Sequence, residues 1–218
     1  GKRNIELHVE FMDSKRVVDK NHFYRLFLYY RSKFDQVKFD LVIVSDNDAF
    51  NFVLRYRDAL FPKIPIVFCG VNPLSEILQL KVPFLTGVLE DFDIKATLDV
   101  ALKLHPNTKE IVAVNNGTPI GDVKKQLFND ALAATGKNLI ATIIDDPILV
   151  DFEKLLKDKG KDCIVILLGS FKEKSGALVP IEVSTPILAT YNMPLYGLIE
   201  YYLGYGIIGG KLISGYHQ

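Results

Sequence analysis

FDLVIVSDNDAFNFVLRYRDALFPKIPIVFCGVN, residues 39–72, reads as strand, loop, helix, turn, strand and loop. Leu41 to Val44 is apolar and rich in β-branched side chains, which suits a strand buried on both faces. It stops in Ser45-Asp46-Asn47-Asp48. Short polar residues there either cap the next helix, through Asp46 or Asn47, or contact a ligand beyond the carboxyl end of the strand. Phe50, Val53, Leu54 and Leu60 give a helix its apolar side, and Phe61-Pro62 stops it. Ile64 to Phe68 is the next buried strand, ending in Cys69-Gly70-Val71-Asn72. A right-handed β-α-β crossover brings both polar tips to one edge of a sheet.

The same rhythm runs outward. Upstream, Ile5, Leu7, Val9 and Phe11 alternate with polar residues and predict a half-buried strand over 4–12. Phe23, Leu26, Phe27 and Tyr30 predict a helix over 21–34. Downstream, a short helix is expected at 73–80, a strand at 84–89, and a helix opened by Glu90-Asp91-Phe92-Asp93. A strand at 111–114 ends in a third polar tip, Asn115-Asn116-Gly117-Thr118. Helix 119–134, strand 139–144, helix 149–159 and strand 163–168 follow. A short helix is expected at 179–185 and a strand at 187–190, ending at Tyr191-Asn192. The last segment is dense in tyrosine and glycine, with Leu, Ile and Met interleaved, so it is not low-complexity disorder. Strands alternating with helices make the chain α/β with largely parallel sheets, as one doubly wound sheet or as two similar lobes.

The chain has 218 residues, 49% hydrophobic, with 26 basic and 26 acidic side chains. That balance gives no basic stripe, so nucleic acid and anionic membrane surfaces are not expected partners. No apolar run approaches the roughly 20 residues that span a bilayer. Gly1 in first place suggests a piece of a longer chain. Cys69 and Cys163 read as two separate thiols, and the four histidines lack metal-ligand spacing, so no metal or cofactor is expected. P-loop and GxSxG motifs are absent, which argues against an enzyme on a doubly wound sheet.

VEFMDSKR, FDLVIVSDNDAFNF, LFPKIPIVFCGVN, LTGVLEDFDIKATLDVALKLHPNTKEIVAV and YGIIGGKLISGYHQ together resemble one family across nearly the whole chain. It is the extracytoplasmic solute-binding domain, related to ABC-transporter substrate-binding proteins, that is fused to bacterial sensor histidine kinases and diguanylate cyclases. The resemblance implies a type I periplasmic-binding fold of two Rossmann-like lobes with parallel sheets. Residues 1–90 would form the first lobe, 91–190 the second, and 191–218 a return to the first. Family members carry a further strand and helix ahead of VEFMDSKR, so the first lobe would lack its initial strand and helix. The implied role is to bind a small solute in an inter-lobe cleft outside the membrane and signal by lobe closure. An amino acid or other small organic solute would be the ligand, and membrane attachment would come only through flanking segments. A homodimer is left open. The alternatives are a free ABC-transporter binding protein and the effector domain of a repressor.

The candidate binding residues are the strand tips: Ser45, Asp46, Asn47 and Asn72 in the first lobe, and Asn116, Gly117, Thr118 and Phe171 in the second. Tyr191, Tyr196 and Tyr205 stand near the return. Asp46 can hold an amine, Ser45 and Asn72 a carboxylate, and the tyrosines supply flat walls with a polar end. Each also has a structural reading: Asp46 and Thr118 as helix caps, Asn72 as a turn former before Pro73, Phe171 as core, and Tyr205 packed on Gly209 and Gly210.

Overall fold

A computed structural model describes residues 4–14, 16–17, 19–72 and 82–217. The chain divides into two compact units, one ending at Glu90 and the other running from Asp91 to His217.

Unit 1 contains α1 (His22–Lys33), β1 (Val42–Ser45), α2 (Asn47–Leu60), β2 (Ile66–Val71) and β3 (Leu85–Leu89). Its strands form one parallel sheet in the order β1-β2-β3. Val44, Ile66 and Val71 meet Tyr30, Phe50, Phe52 and Val53 from the two helices in a single core. That core is aromatic, with Phe27 stacked on Tyr56 at 4.6 Å and Phe23 edge-on to Phe52 at 5.9 Å. Offset and edge-to-face pairs of this kind add to the burial of the rings. The short helix expected at 73–80 lies outside the described residues.

The segment over 4–12 does not form the half-buried strand its alternation predicts. Among the described residues no ladder pairs it, and Ile5 and Phe11 are 86% and 83% exposed. His8 lies edge-on to Phe34 and Phe39, Glu10 pairs with Lys33, and the Met12 carbonyl accepts from His22 Nε2. Alternation marks one face as apolar, but a strand also needs a neighbour to satisfy its backbone.

Unit 2 contains α3 (Ile94–Leu104), β4 (Glu110–Asn115), α4 (Pro119–Ala134), β5 (Ile140–Asp145), α5 (Leu149–Lys157), β6 (Cys163–Leu167), α6 (Ile181–Ala189) and β7 (Leu195–Gly197). The sheet is parallel throughout, in the order β5-β4-β6-β7. Helices cover both faces. Ile111, Ala113, Ile164 and Ile166 pack with Leu98 and Phe128 on one side, and Val112, Val114, Val165 and Leu167 with Phe152 and Leu188 on the other. Alternate residues of each strand therefore feed different cores, which is why β4 and β6 read as unbroken apolar runs. Burial pushes the Cys163 thiol on β6 up to about 11.

Two expectations for the C-terminal third are corrected. Residues 187–190 are not a strand: α6 continues through Pro186 to Ala189. Pro186 is solvent-exposed, and the one bond its missing N–H forfeits lies within the first turn and a half of a short helix. The last strand is instead β7. Residues 191–217 also group with unit 2 rather than returning to the first lobe. β7 adds to the edge of that sheet, and the chain then loops round to run parallel beside it through bridges at Tyr196–Gly209 and Ile199–Ile213. Gly210 permits this close return, because a Cβ there would strike the Gly197 carbonyl and its φ is +149°.

Candidate functional site

In unit 1 the tips of β1 and β2 lie side by side, with Ser45 in register with Cys69. Asp46 follows at φ 78°, ψ 154°, a region that essentially only glycine occupies. Its backbone N–H donates to the Cys69 carbonyl at 3.2 Å, which holds it there. Asp46 is the N-cap of α2 by position, yet its side chain makes no capping bond. Asn47 does not cap either: its Oδ1 accepts the backbone N–H of Asn72 at 2.9 Å. Asn72 Nδ2 then donates to Glu90 Oε2 at 3.0 Å. Asn72 thus ties the ends of all three strands together, since Glu90 directly follows β3. Ser45 is exposed, and Asp46, Asn47 and Asn72 are half-buried.

In unit 2 the tips are braced by carboxylates. Asn116 Oδ1 accepts from the Ser170 N–H at 2.7 Å, closing β4 onto the loop after β6. Asp146 accepts from the Gly117 N–H at 3.1 Å and pairs with Lys172 at 3.1 Å. Asp145 pairs with Lys125 and accepts from Asn115 Nδ2 at 2.7 Å. Thr118 is a cap: its hydroxyl accepts the Gly121 N–H at 3.1 Å. Tyr202 donates to the Gly169 carbonyl at 3.2 Å, and burial raises its phenol.

The other candidates of unit 2 lie elsewhere. Phe171 is core, edge-on to Phe152 at 5.0 Å. Tyr196 is fully buried on β7 and faces His105, 6.0 Å away at the C-terminus of α3. Tyr191 stands at the amino end of β7, where its hydroxyl bonds Glu153 at 3.0 Å. Tyr205 is half-buried in the loop after Tyr202. Glu90, Asp146, Lys172 and Tyr202 were missed as site residues. A polar residue just beyond a strand was the available signal for Glu90 and Asp146; Lys172 and Tyr202 reach the tips only through the fold.

The Gly117 N–H, and then Lys172, hold the Asp146 carboxyl below the usual aspartate range; Lys125, and then Asn115, do the same for Asp145. A carboxylate depressed in the folded chain stabilises it above the unfolded value and loses that contribution as pH falls through the folded one. Asp146→Asn is therefore expected to cost no more than about 1 kcal/mol at pH 7, the side chain being one-third exposed. The gap between wild type and variant in urea unfolding should close as pH drops below about 4.

No protein-family model and no curated protein matches the chain. Solved structures do. A conserved domain protein from Vibrio cholerae superposes with a TM-score of 0.55 at 16% identity, over 86% of this chain and 63% of that one. The fold is that of the type I periplasmic binding proteins. An ABC domain from Streptococcus pneumoniae in complex with L-Trp follows at 0.51 and 13%, over 85% and 61%. CD0873, a substrate-binding protein with adhesive properties from Clostridium difficile in its ligand-free, open form, gives 0.53 and 17%, over 86% and 67%. The chain thus spans about three fifths of the first two proteins. In this periplasmic-binding fold the polar tips described above stand at the carboxyl ends of parallel strands, where open α/β sheets take their ligands. Among the described residues no group of three His, Cys, Asp or Glu could hold a metal, and no helix is long and apolar enough to cross a membrane.

Proposed function

We propose that the chain is a non-enzymatic, extracytoplasmic binding protein for a small organic solute, an amino acid being the first class to test. The candidate solute-binding residues are the polar strand ends: Ser45, Asp46, Asn47 and Asn72 in unit 1, and, taken by itself, Asn116, Gly117 and Thr118 in unit 2. One observation carries the reading: Asp46 sits at a strand tip in a backbone conformation costing about 1–3 kcal/mol. Strain of that kind persists where a side chain must be presented. The names of similar structures favour a transporter-type binding protein over the sensor role implied by the sequence resemblance, since solute- and substrate-binding proteins are named among them. A lipid-anchoring cysteine in the flanking sequence would support the transporter role, and a membrane helix with an output domain the sensor role.

The test is a thermal-shift screen of the proteinogenic amino acids, L-tryptophan included, and small aromatic carboxylates. A ligand that binds only the native state raises the melting temperature. Asp46→Gly should melt higher than wild type without ligand, by roughly 2–4 °C for each kcal/mol of strain relieved. The same variant should lose the ligand-induced shift. No response to any compound, or an undiminished response in the variant, rules the assignment out.

A further inference from the structure

β5 is an edge strand whose outer side pairs with nothing among the described residues. All six of its residues lie in unbroken register with β4, without a bulge. Ile140 N–H donates to Lys109 and Asp146 N–H to Asn115, so even-numbered residues direct their backbone groups inward. Ala141, Ile143 and Asp145 direct theirs outward. Proteins ordinarily blunt such an edge with lysine, proline or a bulge. Ile140 to Ile144, IATII, carries none of these, and Ile140 is 67% exposed.

The side chains are also symmetric about Thr142. Ile144 packs on the same core as Val112 and Phe152, which places Ile140, Thr142 and Ile144 on one face. We infer that β5 pairs antiparallel with β5 of a second copy of this chain, about a two-fold axis through Thr142. That operator sets Ile140 against Ile144 of the partner copy, Thr142 against Thr142, and Ala141 against Ile143. The outward groups of 141 and 143 exchange both hydrogen bonds, and the isoleucine and threonine pairs are those that stabilise a ladder. Asp145 falls opposite Leu139 and Asp146 opposite Asn138, so no like charges face each other. Moving the axis to 145 or 146 sets aspartate against aspartate, which disfavours those registers. The zero net charge offers no long-range repulsion to association. Five paired residues make a small interface, so the dimer is a weak one.

Sedimentation equilibrium of the whole chain across a concentration series tests this. Wild type should approach twice the monomer mass at the top of the series, and Ile140→Lys, at a position already in solvent, should remain at monomer mass. Thr142→Cys, in a Cys69→Ser background, should give a disulfide-linked dimer on mild oxidation. The pair on the axis is non-hydrogen-bonded, with Cα atoms about 4.5 Å apart, within disulfide range. Val150→Cys on α5, also exposed, should not link. Wild type at monomer mass throughout, a dimer that survives Ile140→Lys, or equal linking by the two cysteine variants would each overturn the assignment.

Discussion

Phe128→Ala is expected to destabilise unit 2 by about 3–5 kcal/mol, the usual range for deleting a fully buried phenylalanine. Phe128 is 0% exposed and stands on α4 among Leu98, Ile111, Ala113 and Ile166. It joins two helices to the central strands, so the space it leaves cannot be filled by a surface side chain. Phe11→Ala is the matching control. The alternation over 4–12 would make it costly, whereas the exposure of Phe11 predicts a change within about 0.5 kcal/mol. Urea unfolding of the two variants separates the outcomes. Equal losses would mean that the core of unit 2, or the exposure of residues 4–12, is wrongly described.

Gly169→Ala should be nearly as severe, at about 3 kcal/mol, for the opposite reason. A Cβ at Gly169 would overlap Asn116 Oδ1 and lie 2.7 Å from Asn116 N and 2.8 Å from the Asn115 carbonyl carbon. Backbone cannot move aside as a flexible side chain can. The tips of β4 and β6 would have to separate, breaking the Ser170–Asn116 bond. Gly160→Ala meets nothing within 4 Å and should be neutral within about 0.5 kcal/mol. The Gly169 variant should also lose the ligand response if Asn116 contacts the solute. A Gly169→Ala protein that melts like wild type would show that the two strand ends are farther apart than described.

Much of the fold was legible because hydrophobic period and strand ends agree. β1, β2, β4 and β6 are apolar runs stopped by polar or small residues, and Pro119 to Ala134 is helical over the whole expected span. Two failures have separate causes. Residues 4–12 have the pattern of a strand without a partner for its backbone. Residues 187–190 have the composition of a strand, but α6 carries them because Pro186 is tolerated on its exposed side. β7, three buried residues between Pro194 and Leu198, is too short to show a period.

At the candidate site, polar residues after buried strands pointed to the tips. Their pairing did not: that Asn47 binds Asn72, and Asn116 binds Ser170, depends on neighbours 25 and 54 positions away. The tyrosines near the return read as flat walls with a polar end, yet Tyr196 is interior and Tyr191 is tied to α5. Tyrosine marks both packing and recognition, and composition alone does not separate them.

The elevated thiol of Cys163 has a practical meaning for anyone attaching probes to this molecule. With ionisation near 11, only about one molecule in ten thousand carries the reactive anion at neutral pH, and β6 keeps it covered. Maleimide dyes and spin labels will pass it by in the native state and go to Cys69 or to a cysteine placed on the surface. Unit 2 can therefore be tagged at a chosen position without first removing its own sulfur.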